Sequence, residues 1–365
     1  MIKHCKKCQL KWHYPVKNCI YCQSPLEELE VTSFLVKGIT KVSIPSKDHT
    51  DIPYYNLLLE DNNGSFHIKK SMKEQQIGDK IELTAENKED KAIVAVIGTG
   101  TTGSGIAQVF ASSGYQVILK SRSDESLAKC LAKIEKQLLK SCDEEEKNKI
   151  IKRITPSTNL NDLAEADIIV ESIVENLDKK LELYEELQNI MKPSAILATN
   201  TSSLSINDLS ANLKAPERFL GMHFFNPVPR MPLVEIIANK VSTPETLETI
   251  VKVAKDLNKT PIKTTDSPAF IVNRMLLTYL NEAVWELHEG IAKAEEIDAA
   301  AKLGLNHPMG PLALADLIGL DVVLAILNSM YRKTKNLKYH PCPLITKMVE
   351  EQKLGRKTKH GFYNY

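Results

Sequence analysis

Gly98, Gly100 and Gly103 are spaced G-x-G-x-x-G within the run KAIVAVIGTGTTGSGIAQVF. An apolar, β-branched segment (Val94, Val96, Ile97) precedes them, and Ile106, Ala107, Val109 and Phe110 follow as a helical stretch. Glycine-rich turns are common, but this strand–turn–helix setting narrows the choice. In a dinucleotide-binding βαβ unit the first glycine allows the tight turn, the second admits a pyrophosphate to the backbone, and the third lets helix and strand pack closely. The pyrophosphate then lies at a helix N-terminus, where unpaired N–H groups and the helix dipole favour an anion. Gly98, Gly100, Thr101, Thr102 and Gly103 are the candidate cofactor turn.

The strands AIVAVI, DIIVES and AILATN alternate with helical segments from Asp124 to about Arg153 and from Leu177 to Met191. This is the pattern of an α/β fold, a doubly wound parallel sheet with helices on both faces. Such sheets bind ligands beyond the carboxyl ends of their strands. Glu175, Asn200 and Ser202 lie just past those ends. A second strand, YQVILKS, ends at Ser121, where this fold usually places an acidic residue on the adenosine ribose. Ser121 followed by Arg122 can instead hold a 2′-phosphate through charge-assisted bonds worth roughly 1.5–3 kcal/mol each. The sequence therefore leans to NADP over NAD, against the alternative that Ser121 is neutral and Arg122 faces solvent.

A chain of 365 residues exceeds the usual single-domain size, so two or three domains are expected. With 43% hydrophobic and 25% charged residues it reads as a soluble globular protein, and a net charge of +1 gives no global case for a polyanionic partner. No apolar run could span a bilayer, and MIKHCKK lacks the apolar core of a signal peptide, so a cytoplasmic location is expected.

Four of the seven cysteines fall in the first 22 residues, as Cys5-x-x-Cys8 and Cys19-x-x-Cys22. Two such knuckles supply the four thiolates that tetrahedral zinc takes at about 2.3 Å. So short a segment cannot bury its own core, and structural zinc contributes roughly 10–16 kcal/mol of folding energy in comparable peptides. With all four positions filled, the ion would be structural; His4 and His13 read as surface residues. Residues 1–25 carry five lysines and no carboxylate, which suits either solubility or an acidic partner. From Glu30 to Thr84, EVTSFLVKGITKVSI, IPYYNLLLE, GSFHIKK and DKIELT read as short strands of a small barrel. Ribbon and barrel together resemble the zinc-ribbon plus OB-fold module that accompanies acyl-CoA enzymes. OB-folds also stack nucleobases on aromatics, but Tyr54, Tyr55 and Phe66 read as packing residues, and nucleic acid is not expected as a partner. The charged ENKEDK at 86–91 closes this module.

In RFLGMHFFNPVPRMPLVEII, His223 and Glu235 lie twelve positions apart around a proline-broken loop. A carboxylate on one imidazole nitrogen fixes the tautomer and raises the basicity of the other, as proton exchange with a substrate hydroxyl requires. The segments TNTSSLSI, HFFNPVP, PAFIVNRML, HPMGPLALADLIGLD and RKTKHGFYNY occur in that order, and together they resemble the 3-hydroxyacyl-CoA dehydrogenase family, specifically its short-chain 3-hydroxybutyryl-CoA members, over about residues 92–365. The resemblance implies that His223 is the general acid/base, Glu235 its orienting carboxylate, Ser202 the serine beside the substrate oxygen, and Asn273 the asparagine holding the reacting carbonyl. It likewise implies cofactor contacts at Glu175, Lys180, Asn226 and Lys357. Ser121 departs from the family's ribose aspartate, Thr102 from a common methionine and Ala269 from a common glycine; the last two look tolerable.

Asp266-Ser267-Pro268 reads as a helix start, with serine as cap and proline in the first turn. An apolar stripe then recurs at helical spacing from Ile271 to Leu287, until Gly290. In the resembling family this all-α domain also forms the dimer interface, which implies a homodimer. The expected domains are a ribbon (1–26), an OB-like barrel (27–88), a Rossmann-type domain (92–270) and a helical substrate and dimerisation domain (271–365). The expected reaction interconverts 3-hydroxyacyl-CoA and 3-oxoacyl-CoA with NAD(P). The competing readings are the same chemistry on a group carried by an acyl-carrier protein, and a non-catalytic cofactor-binding scaffold.

Overall fold

The computed structural model describes residues 2–7, 11–12, 22, 27–29, 33–42, 54–61, 64, 66–71, 75–82 and 91–365. They form two compact units, residues 1–91 and 92–365.

In the first unit, β1 (Ile2–His4) pairs antiparallel with both β2 (Lys11–Trp12) and β3 (Glu27–Leu29). A separate four-stranded antiparallel sheet has the order β6-β5-β4-β7, from β4 (Ser33–Val42), β5 (Tyr54–Asp61), β6 (Phe66–Ser71) and β7 (Lys80–Glu82). A bulge between Val36 and Gly38 bends β4. Phe34, Val36, Tyr55, Leu57 and Leu59 make the small core on one face. The expected strands are present, whereas the expected closure into a barrel is not among the described pairings, which leave an open sheet.

The second unit is built on an eight-stranded sheet of order β10-β9-β8-β11-β12-β13-β14-β15. Its strands are β8 (Val94–Ile97), β9 (Val117–Lys120), β10 (Ile154–Ser157), β11 (Ile168–Glu171), β12 (Ile196–Thr199), β13 (Phe219–Phe224), β14 (Leu233–Ala238) and β15 (Thr260–Thr265). The first six run parallel in the 3-2-1-4-5-6 order of dinucleotide-binding folds, and β14 turns back antiparallel to β13. Side chains alternate across the sheet with period two. Val94, Val96, Ile168 and Val170 therefore join one core with α1 (Thr101–Ser112), α2 (Asp124–Leu138), α3 (Glu144–Ile151) and α6 (Pro244–Asp256). Ala95, Ile97 and Ile169 face the opposite core with α4 (Leu177–Leu187) and α5 (Ile206–Ser210). Each fully buried Val, Ile or Leu there contributes about 1.5–3 kcal/mol relative to exposure.

Five helices follow: α7 (Val272–His288), α8 (Ala294–Gly304), α9 (Pro311–Ile318), α10 (Leu320–Thr334) and α11 (Pro343–Glu350). They share a third core that includes Leu280, Val284, Leu312, Leu327 and Ile345. Among the described residues, no single helix is long and apolar enough to cross a membrane.

The start of α7 differs from the expectation. Ala269 and Phe270 take left-handed φ angles of 63° and 53°, which interrupts the chain after Pro268, and the helix begins at Val272. Ser267 does not cap it. Its orphan N–H groups are met instead by a carboxylate from the sheet: Ile271 N and Val272 N donate to Glu235 Oε1 at 3.0 and 2.9 Å. Asp266 is engaged elsewhere, accepting from Ser205 Oγ and Asn207 N at the start of α5. Alanine at 269 is thus accommodated in a conformation that glycine adopts at no steric cost, and that L residues adopt at a cost of about 1–2 kcal/mol.

Candidate active site

The glycine turn follows from backbone geometry. Gly98 has φ 119°, and a Cβ there would strike Ser172 O; a Cβ on Gly103 would strike Gly98 O. Gly100 faces open space at the N-cap of α1, where no side chain caps the helix and no acidic residue sits in the first turn. That end of α1 therefore presents free N–H groups to an anion. At the end of β9, Ser121 Oγ lies 3.3 Å from Thr99 Oγ1 and Arg122 is exposed.

His223 and Glu235 face each other directly across the β13–β14 pair, so their separation of twelve residues is the length of a hairpin. Nδ1 of His223 is 2.7 Å from Glu235 Oε2, and Nε2 is 3.1 Å from Ser202 Oγ. His223 is 3% exposed, with its ring against Phe225 and Phe270. Burial pushes the Glu235 carboxyl up, but the His223 hydrogen bond and the Val272 and Ile271 N–H groups outweigh it, and its pKa falls below the ordinary value. An ionised Glu235 accepts from Nδ1–H, which leaves Nε2 facing Ser202 for proton exchange.

Ser202 is held by Glu175. Its Oε1 accepts from Thr201 Oγ1 (2.6 Å), Ser202 N (2.9 Å), Ser203 N (3.0 Å) and Ser203 Oγ (2.9 Å). Burial raises the Glu175 pKa, yet these donors and Lys180 bring it below its ordinary value. Asn273, the second residue of α7, is half-buried and directly follows the Val272 N–H that Glu235 receives. One carboxylate thus orients the imidazole and anchors the helix that carries Asn273.

The expected cofactor-side residues are placed differently from one another. Asn226 Nδ2 donates to Thr102 Oγ1 at 2.9 Å, at the edge of the glycine turn, where Thr101 is exposed. Asn200 Oδ1 accepts from Phe224 N at 2.8 Å and so ties the end of β12 to β13. Lys180 is 1% exposed and turned inward, with Nζ 2.6 Å from Glu171 Oε1 and 3.6 Å from Glu175 Oε2. Lys357 is paired with Asp321 of α10.

The residue that sequence reasoning missed here is Glu171. Fully buried at the end of β11, it accepts from Lys180 Nζ, Ile173 N, Tyr184 OH and Thr199 Oγ1. A charged residue closing an otherwise apolar strand, DIIVE, was the available signal, because a buried carboxylate must find partners. Of the four cysteines, Cys8 and Cys19 lie outside the described residues. Cys5 is buried, with its Sγ 3.5 Å from Cys22 Sγ. No cluster of three or more metal ligands occurs among the described residues.

A nucleotide-binding sheet in the 3-2-1-4-5-6 order, a histidine–carboxylate pair across its β13–β14 strands and a helical domain anchored on that pair define a two-domain dehydrogenase architecture. Residues 93–267 match the family described as 3-hydroxyacyl-CoA dehydrogenase, NAD binding domain, and residues 270–365 match 3-hydroxyacyl-CoA dehydrogenase, C-terminal domain; the chain belongs to this family. It is 48% identical over 277 residues to 3-hydroxybutyryl-CoA dehydrogenase of Clostridioides difficile, covering 74% of this chain and 99% of that one. It is 41% identical to mitochondrial hydroxyacyl-coenzyme A dehydrogenase of Sus scrofa, covering 74% and 90%. The crystal structure of (S)-3-hydroxybutyryl-CoA dehydrogenase from Ralstonia eutropha superposes with a TM-score of 0.74 at 42% identity, covering 75% of this chain and 99% of that one.

Proposed function

We propose that the chain is an NAD(P)-dependent 3-hydroxyacyl-CoA dehydrogenase that interconverts short-chain 3-hydroxyacyl-CoA and 3-oxoacyl-CoA, with 3-hydroxybutyryl-CoA and acetoacetyl-CoA as the pair its relatives suggest. The observation that carries this reading is the His223 imidazole held between Glu235 and Ser202, next to strand ends that also bear the glycine turn. The bound nicotinamide would exchange a hydride with C3 of the acyl chain. In the reducing direction, protonated His223 gives its Nε2 proton to the C3 oxygen. Ser202 Oγ and Asn273 donate to that oxygen as its charge develops, and Glu235 stabilises the imidazolium before and the correct tautomer after transfer.

For the cofactor, uncapped N–H groups at α1 suit the pyrophosphate, and Thr102 and Asn226 border its path. Serine at 121 with an exposed guanidinium beside it favours NADP, while the family assignment is to NAD binding domains. Glu175 serves the site by holding Ser202. Lys180 supports Glu175 from its buried pairing, and Lys357, half-exposed beside Asp321, is kept as a cofactor-side lysine.

The first unit is read as a ribbon holding one structural zinc on Cys5, Cys8, Cys19 and Cys22, carried past the expected boundary at 26 by the pairing of β3 with β1, followed by an OB-like barrel that starts at β4. The Cys5–Cys22 separation of 3.5 Å is close to the edge of about 3.8 Å in a tetrahedron with 2.3 Å arms. The same reading makes the protein a cytoplasmic homodimer through its helical domain. Steady-state reduction of acetoacetyl-CoA with NADPH against NADH tests reaction and cofactor together. The reading expects turnover with a higher kcat/KM for NADPH; no turnover with either nucleotide refutes the reaction, and a strong NADH preference refutes the role given to Ser121 and Arg122.

A further inference from the structure

The loop between β13 and β14, residues 225–232, reads FNPVPRMP. Its three prolines have no N–H to donate, so the segment cannot secure itself through a ladder. It closes one turn, with Arg230 N and Met231 N donating to Pro227 O, and Pro232 O accepts from Thr260 N. The carbonyls of Val228 and Met231 are taken by one side chain from outside the loop: Lys259 Nζ donates to them at 2.6 and 2.8 Å. Lys259 is 7% exposed, and burial lowers its pKa. A left-handed Asn258 and a bond from Lys259 N to Ala254 O close the end of α6 and present the lysine there, where the helix dipole favours a cation.

The opposite side of the loop rests on α1. Val228 packs so closely against Gly105 that a Cβ there would come within 2.8 Å of the valine Cβ. Asn226 reaches Thr102 in the first turn. The loop is therefore gripped between a buried ammonium and the helix that carries the nucleotide turn. A buried cation is expensive to keep, and its partners here are backbone oxygens of this one segment.

We propose that Lys259 is a positioning residue for the cofactor site: it clamps residues 226–232 against α1 and so fixes Asn226 at the rim of the glycine turn. The inference rests on the reading of Asn226 as a cofactor-side residue. It is tested on the full chain by the Kd for NADH and NADPH, measured by nucleotide fluorescence, for Asn226→Ala, Lys259→Met, their double variant and Lys259→Arg, alongside thermal unfolding. The expected result is a rise of about tenfold in Kd for each single variant, a double variant no weaker than Asn226→Ala alone, and near wild-type binding by Lys259→Arg, whose guanidinium can still serve two carbonyls. Wild-type Kd in Lys259→Met with only a lowered Tm, or a double variant in which the two effects multiply, overturns the clamp while leaving Asn226 in its role. An unchanged Kd in Asn226→Ala refutes the reading of Asn226 and the inference with it. Should Lys259→Met fail to fold, Lys259→Gln, which keeps an amide donor, carries the same cycle.

Discussion

His223 and Glu235 illustrate how one side chain's chemistry is set by another's burial. The carboxylate is taken out of water and stays charged because it receives the imidazole and two helix N–H groups. His223→Ala is expected to lower kcat by about 10²–10⁴-fold, the range for removing a general acid/base, with nucleotide Kd unchanged; steady-state and binding measurements separate the two. The folded-state pKa of Glu235 is depressed, so its stabilisation is present above its unfolded value, near 4.3, and is lost as pH falls through the lower folded value. Glu235→Gln is expected to flatten that acid limb in urea unfolding curves recorded across pH. An unaltered acid limb would mean that the carboxylate is not the group titrating there. The pairing of His223 with Glu235 was legible through the family resemblance of the surrounding segments, while the hairpin register that sets them face to face is seen only in the sheet. The bond from Glu235 to α7 was not, since it joins residues 36 and 37 positions apart through a backbone turn that no local pattern announces.

At the scale of elements, the strand–turn–helix around Gly98 was readable because its requirements are local. Gly103 is the sharpest case: any Cβ would meet Gly98 O in the same turn. Gly103→Ala is expected to destabilise by at least about 2 kcal/mol and to weaken nucleotide binding, as calorimetry and fluorescence titration would report. Wild-type stability would show that the turn can open without loss. The helix after Pro268 was legible in its stripe and in its end, where Gly290 takes φ 74°, but not in its start. A sheet carboxylate does the capping that Ser267 was expected to do, and sequence pattern cannot see a cap supplied from a distant strand. Lys180 is a related case. The family resemblance implies a nucleotide contact there, yet the fold turns its ammonium onto Glu171, whose own burial was the clue.

At the scale of the whole molecule, the two family matches together span residues 93–267 and 270–365. A relative covered over 99% of its length aligns with only 74% of this chain. Catalysis should therefore reside in the second compact unit, and a chain starting at Ala92 is expected to retain the kcat of the full protein on acetoacetyl-CoA; a collapse of kcat in a folded truncation would give the first unit a catalytic part. The alternation of strands and helices made the sheet and the helical domain legible. In the first unit the strands were legible from their alternation and turns, whereas the expected barrel closure and metal cluster are not among the described residues' pairings and ligands. In the proposed reaction the bound nucleotide delivers hydride to C3 of an acyl thioester and His223 supplies the proton. Reduction of acetoacetyl-CoA with reduced nicotinamide nucleotide carrying two deuteriums at C4, in the wild type and in His223→Ala, tests this most directly. The account predicts deuterium at C3 of the 3-hydroxybutyryl-CoA formed by the wild type and a product yield reduced by orders of magnitude in the variant; product without C3 deuterium, or full turnover by His223→Ala, would contradict it.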